Sequence, residues 1–258
     1  QSKQLEKEFQ EKGIQSYVEQ LAHTKINNDV IEKEKQQHLE EIHLIEKQII
    51  ALEAQAGEID EELQRVIPVL EALRDTQIPI SIDTSKPEVM KEAIEAGAFM
   101  INDGNALRNP GALEVIAKDS HVKVCLMHMQ GTPQNMQQHP HYSHVIDEVK
   151  NFLQQRIDAA IAAGISKDRL VIDPGFGFGK TGQHNLVLLN QLNQLTLTDI
   201  PLLVGLSRKS MLGAITGNSV ENRLHESTAA ALLAVIKGAK IVRVHDVKAT
   251  KDALAVYT

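Results

Sequence analysis

Tryptophan is absent from this chain of 258 residues, and aromatic residues make up only 3% of it. That excludes rows of aromatic platforms for stacking single-stranded nucleic acid as a main mode of binding. One cysteine, Cys125, leaves no intrachain disulfide, and its place inside an apolar run points to a reducing compartment. No stretch reaches the roughly 18 apolar residues of a membrane span. The N-terminal "QSKQLEKEF" has no apolar signal core. Charge of neither sign prevails strongly: 34 acidic and 27 basic side chains give a net −7, which offers no general surface to nucleic acid or anionic lipid. A cytoplasmic protein without nucleic-acid or membrane partners is expected, long enough for one large domain or two small ones.

Residues 1–60 also lack proline, and they hold two glycines, Gly13 and Gly57, among thirteen acidic and seven basic side chains. Such a composition favours helix. From Ile42 apolar residues recur every three or four positions: Ile45, Ile49, Leu52, Ala56, Ile59, Leu63, Val66, Leu70 and Leu73. Two arrangements fit. One is a long helix whose seam, within residues 29–74, takes a partner helix. The other is a pair of helices meeting near Gly57, with Asp60 capping the second. The expected division is a helical, acidic segment over 1–56 and a second region over 57–258.

Beyond residue 77 short β-rich runs take over: "IPISIDT", "AFMINDG", "VKVCLMHM", "RLVIDPGF", "IPLLVGLS" and "KIVRVHDV". Helical stretches separate them, and each run is nearly continuously apolar, as in a parallel sheet covered on both faces. Polar residues collect at the C-terminal ends of these runs: Asp83, Asn102 with Asp103, His128, Asp173, Ser207 to Lys209, Arg243 and His245. Capping of the following helices explains any one of them. Six in succession match the mouth of a (β/α)8 barrel, where active sites sit. A doubly wound sheet is the alternative, but no glycine-rich turn follows the first strand.

"VIDPGFGFGKT", residues 171–181, resembles a phosphate-cradling loop only superficially. A P-loop needs glycine at position 174, and Pro174 has no N–H to offer a phosphate.

The pieces "EELQRVIPVLEAL", "ISIDTSKPEVM", "INDGNAL", "CLMHMQGTPQNMQ", "DPGFGFGKTGQHNL", "LLVGLSRKSMLGAITG" and "IVRVHDV" resemble, in order, the bacterial dihydropteroate synthase family of folate biosynthesis, from about Glu58 to the end. The resemblance implies a (β/α)8 barrel of TIM type that joins 6-hydroxymethyl-7,8-dihydropterin pyrophosphate to p-aminobenzoate, with magnesium assisting departure of pyrophosphate. It implies a pterin site of Asp83, Asn102, Met127, Asp173, Phe178, Gly205 and Lys209. Asp173 accepts adjacent ring N–H and amino donors, a pairing a carboxylate suits. Lys209, Arg243 and His245 are the implied catalytic residues, the last two gripping pyrophosphate. If both sit on one strand, alternation aims them to the same side. A homodimer through "ENRLHESTAAALLAVIKGA" is also implied.

The chain departs from this family at its start. The family's first two strands have no counterpart, and with them go the asparagine associated with magnesium and two loops shaping the p-aminobenzoate site. A barrel without those strands has two open edges. The alternative function is therefore a catalytically inactive pterin-binding or helix-mediated interaction protein built on a barrel remnant.

Overall fold

The computed structural model describes residues 57–196 and 199–257, with four further helical residues, Lys33, Gln36, Gln37 and Glu40. Two compact units are distinguished, Gln1–Glu58 and Ile59–Thr258. In the first, Gln36 Nε2 donates to Glu40 Oε1 one helical turn away, at 3.4 Å. The expected stripe from Ile42 to Ala56 lies outside the described residues.

Helix α1 covers the described residues 57–73. Asp60 lies inside it, which corrects the expectation of a cap there: an N-cap has non-helical backbone, and the chain is already helical at Gly57. The apolar stripe of α1 faces its own unit. Leu70 is 1% exposed within the core, and Val66 and Ile67, four and three residues before it, pack on the same cluster. Glu62 ties the helix down further, accepting from Thr84 Oγ1 at 2.5 Å and pairing with Lys86 Nζ at 3.0 Å.

Strand and helix then alternate. The order is β1 (Ser81–Asp83), α2 (Pro87–Glu95), β2 (Met100–Asp103), α3 (Ala112–Lys118), β3 (Lys123–Met127), α4 (Val145–Ala162), β4 (Leu170–Asp173) and α5 (Gly182–Asn190), followed by β5 (Leu203–Val204), α6 (Ser210–Thr216), α7 (Leu224–Ile236), β6 (Ile241–Val242) and α8 (Val247–Tyr257). The first four strands pair in order, all parallel, and β5 pairs parallel with β6. A parallel bridge, Ile172 to Leu202, with Ile172 N donating to Pro201 O at 3.0 Å, joins the two groups.

Parallel strands need a crossover after each one, and the helices that supply it cover the outer face of the sheet. Their apolar sides make the main core around Leu126, Leu153, Leu170 and Ile172. A second, smaller cluster of Cys125, Val171 and Leu203, flanked by Met100 and Ile241, draws side chains from five strands onto the inner face. Arg169, 4% exposed, fastens the N-terminal end of the barrel by donating to Val122 O, Asp119 O and Ile116 O at 2.7 to 2.8 Å. The described residues thus hold a (β/α) barrel with six of eight strands, and β1 and β6 are its outer strands.

Candidate active site

Asp83, Asn102, Asp103 and Asp173 close β1, β2 and β4, and His128 follows β3 directly. Parallel strands point every C-terminus the same way, so these residues share one mouth.

The turn after β4 is fixed by two close backbone approaches. A Cβ on Gly175 would lie 1.9 Å from His128 O, and one on Gly179 2.5 Å from Gln130 O; both residues have positive φ. Only glycine fits such contacts in a left-handed conformation. The turn thereby lies against the chain leaving β3. Asp173, 3% exposed, accepts from Gly175 N at 2.7 Å. Burial pushes its carboxyl up to about 6, against the lowering effects of that N–H and of Arg243, Lys180 and Lys209.

Lys180 occupies the place of a P-loop lysine but points inward. It is 3% exposed, and its Nζ donates to Gly175 O and Phe178 O, both at 3.0 Å, and lies 2.9 Å from His128 Nδ1. Three acceptors match the three donors of an ammonium group. Burial nonetheless brings its pKa down to about 7, and that of His128 down to about 3, with Lys180 as the second cause for His128. Asn185 and Tyr142 complete the anchorage: Asn185 Oδ1 accepts from Gly177 N at 2.8 Å, and the Tyr142 hydroxyl donates to Gly179 O at 2.8 Å. Sequence analysis placed His128 at a strand end but not this anchorage, because contacts between distant segments of the chain leave no local signature.

Around Asp173, Lys209 Nζ sits 4.4 Å from the centre of the Phe178 ring, a cation–π contact, and lies against Gly177. Burial and Arg243 lower the pKa of Lys209, while Asp173 and Asp83 raise it. Asn102 Nδ2 donates to Asp83 Oδ2 at 2.9 Å, and Arg243 Nη1 reaches the same oxygen at 3.4 Å. Asn102 Oδ1 is buried without a protein partner among the described residues, an arrangement that costs about 1–3 kcal/mol unless a ligand donor meets it. Met127, 3% exposed, ends β3, and Gly205 leaves room for the Arg243 guanidinium, which would sit 3.4 Å from a Cβ there.

His245 is placed differently from expectation. Strand β6 stops at Val242, so His245 lies in the bend before α8, and alternation along a strand does not set its direction. Its backbone N–H and ring Nδ1 both engage Ser207 Oγ, at 3.2 and 2.9 Å, which takes the chain out of the ladder. No set of three His, Cys, Asp or Glu side chains among the described residues could hold a metal. These residues do not form a magnesium site by themselves.

The family described as "Pterin binding enzyme" matches residues 49–245, beginning nine residues before the resemblance at Glu58. Over 198 residues the chain is 51% identical to dihydropteroate synthase of Haemophilus influenzae, covering 76% of this chain and 72% of that one. This chain belongs to the dihydropteroate synthase family. Its members are transferases of folate biosynthesis. Among solved structures, dihydropteroate synthase of Stenotrophomonas maltophilia superposes with a TM-score of 0.75 at 54% identity, covering 77% of this chain and 75% of that one. The Xanthomonas albilineans dihydropteroate synthase, solved in complex with 7,8-dihydropteroate, gives 0.72 at 52% identity, with 77% and 73% covered.

Proposed function

We propose that the mouth formed by Asp173, Asn102, Asp83, Lys209, Arg243 and His245 joins 6-hydroxymethyl-7,8-dihydropterin pyrophosphate to p-aminobenzoate, giving 7,8-dihydropteroate and pyrophosphate. The observation that carries this reading is a buried, ionisable carboxylate, Asp173, at the same strand-end mouth as an unpartnered buried amide oxygen, Asn102 Oδ1. Asp173 and Asn102 Oδ1 together accept three donors, which suits the N–H-rich edge of a pterin. Met127 packs against the ring, Phe178 lines the site, and Lys209 donates to the carbonyl side. The Xanthomonas albilineans relative holds the product of this same condensation.

Arg243 is 51% exposed and His245 is also at the surface, so both are free to receive an anion. The bond from the pterin methylene to pyrophosphate oxygen breaks first, the electron pair stays on that oxygen, and Arg243 with His245 beside it meets the charge that develops there. The arylamine nitrogen then attacks the cationic methylene, forms the new C–N bond and loses a proton to solvent. No group of three metal-ligating side chains stands at the mouth among the described residues, and the departing charge is met there by Arg243 with His245 beside it. A cavity of about 340 Å³ lined by Gln137, Gly177, Lys180, Asn185, Lys209 and Met211 suits the arylamine ring. A homodimer through α7, where Leu233 and Ile236 are 46% and 50% exposed, belongs to the same proposal.

The test is release of pyrophosphate by the purified chain supplied with the pterin pyrophosphate and magnesium. Release that depends on added p-aminobenzoate supports the reading. Pterin binding without any turnover would favour the inactive barrel remnant, whose specific support is the pair of outer strands, β1 and β6.

A further inference from the structure

Two dipeptides on neighbouring loops face each other: Ser207–Arg208 after β5 and His245–Asp246 after β6. Ser207 Oγ bonds His245 at both its backbone N and its ring. One residue along, the Arg208 guanidinium forks onto Asp246, Nη2 to Oδ1 at 2.9 Å and Nε to Oδ2 at 3.2 Å. The backbone of Arg208 is equally constrained. Its φ is +59°, a left-handed conformation that a side-chain-bearing residue holds only when its surroundings enforce it. Ser227 Oγ, 3% exposed on α7, accepts from Arg208 N at 2.9 Å, and Arg223 Nη1 donates to Arg208 O at 3.0 Å. Arg223 is itself seated flat on Gly213, where a Cβ would fall 2.3 Å from its guanidinium. The backbone N–H and C=O of Arg208 and two of its guanidinium nitrogens are therefore held from segments later in the chain.

Lys209 is the next residue, so the left-handed turn at Arg208 lies directly before it. We propose that Asp246, acting through Arg208, is a positioning residue for Lys209: it clasps the loop after β5 so that the Lys209 ammonium is delivered over Phe178 beside Asp173. Asp246 is three-quarters buried at its side chain and follows His245 in the chain, but its hydrogen bonds go to Arg208 and not to Lys209, so its effect on Lys209 passes through the loop. The proposal rests on the part given above to Lys209 in pterin binding.

A double-mutant cycle separates this from a merely structural role. Affinity for 6-hydroxymethyl-7,8-dihydropterin, which lacks the pyrophosphate that Arg243 and His245 would grip, is followed by pterin fluorescence in four proteins: the parent chain, Asp246→Ala, Lys209→Met and the double variant. Asp246→Ala is expected to weaken binding about tenfold in the parent and less than about twofold in the Lys209→Met background, as for residues acting as one unit. Equal losses in both backgrounds, or no loss in the parent, would overturn the clasp while leaving the reading of Lys209 intact. No loss in Lys209→Met alone would sink that reading and the clasp with it. Should Asp246→Ala fail to fold, Arg208→Lys keeps the charge, loses the fork and carries the same cycle.

Discussion

Arg243 Nη1 lies 3.4 Å from Asp83 Oδ2, joining the last strand's exit to that of the first across 160 residues of chain. Both side chains are more than half exposed, 51% and 63%, so the pair contributes no more than about 1 kcal/mol to stability. Its interest is in placement: a guanidinium stands at the mouth with donors to spare. Arg243→Ala is expected to weaken binding of the pterin pyrophosphate by about 10- to 100-fold, the worth of charge-assisted hydrogen bonds. Binding of the same pterin without pyrophosphate should change little. Titration of both ligands against both proteins checks this, and equal losses for the two would contradict it.

Lys180 is an internal tie. Lys180→Met leaves Gly175 O and Phe178 O without their cationic donor and should destabilise the unit by about 3 kcal/mol, read from urea unfolding. The pH dependence is distinctive. The folded pKa, about 7, lies below that of a free lysine, so between pH 7 and 10.5 the unfolded chain binds more protons than the folded one. Stability relative to Lys180→Met should therefore rise with pH over that window, by about 1 kcal/mol per unit at its steepest. A flat difference would remove the account of a buried, strained ammonium.

Asp173 should govern the pH profile of pterin binding. With its carboxyl near 6, protonation below that pH removes an acceptor, so affinity is expected to fall as pH drops from 7 to 5. In Asp173→Asn the same titration should be flat. The sign for folding is opposite. Because the folded pKa is raised above 3.8, this group's contribution to stability is fully present below about pH 3.8 and is lost as pH rises through 6.

Two glycines should respond in opposite ways. Gly175→Ala places a Cβ 1.9 Å from His128 O at positive φ and is expected to cost more than about 3 kcal/mol, with loss of pterin binding. Gly57→Ala, in a helix with nothing within 4 Å, should leave thermal unfolding unchanged or raise stability by up to about 1 kcal/mol. Similar effects at both positions would contradict the packing described.

The mouth was legible in the sequence because apolar runs are hard to misplace and each one ends in a polar residue: Asp83, Asn102 and Asp173 were found by position alone. The anchorage behind it was not. Pro174 removes the phosphate-loop reading of the turn before Lys180, but only the proximity of His128, 52 residues earlier, shows the buried tie. Ser227 and Asp246 escaped for a similar reason, since their partner Arg208 is distant in sequence. Helices α3, α6 and α8 were not picked out, and β6 ended before Arg243 because the following backbone bonds a serine hydroxyl, a preference with no periodic signature. Asp60 misled because aspartate is a favoured cap residue, whereas the backbone is already helical at Gly57.

The most direct test of the site is titration of the purified chain with 6-hydroxymethyl-7,8-dihydropterin pyrophosphate beside the Asp173→Asn variant. Saturable one-to-one binding that weakens at least about 100-fold on loss of the carboxylate is the predicted result. Equal affinity in the two proteins, or no binding by either, would contradict a pterin site at this mouth.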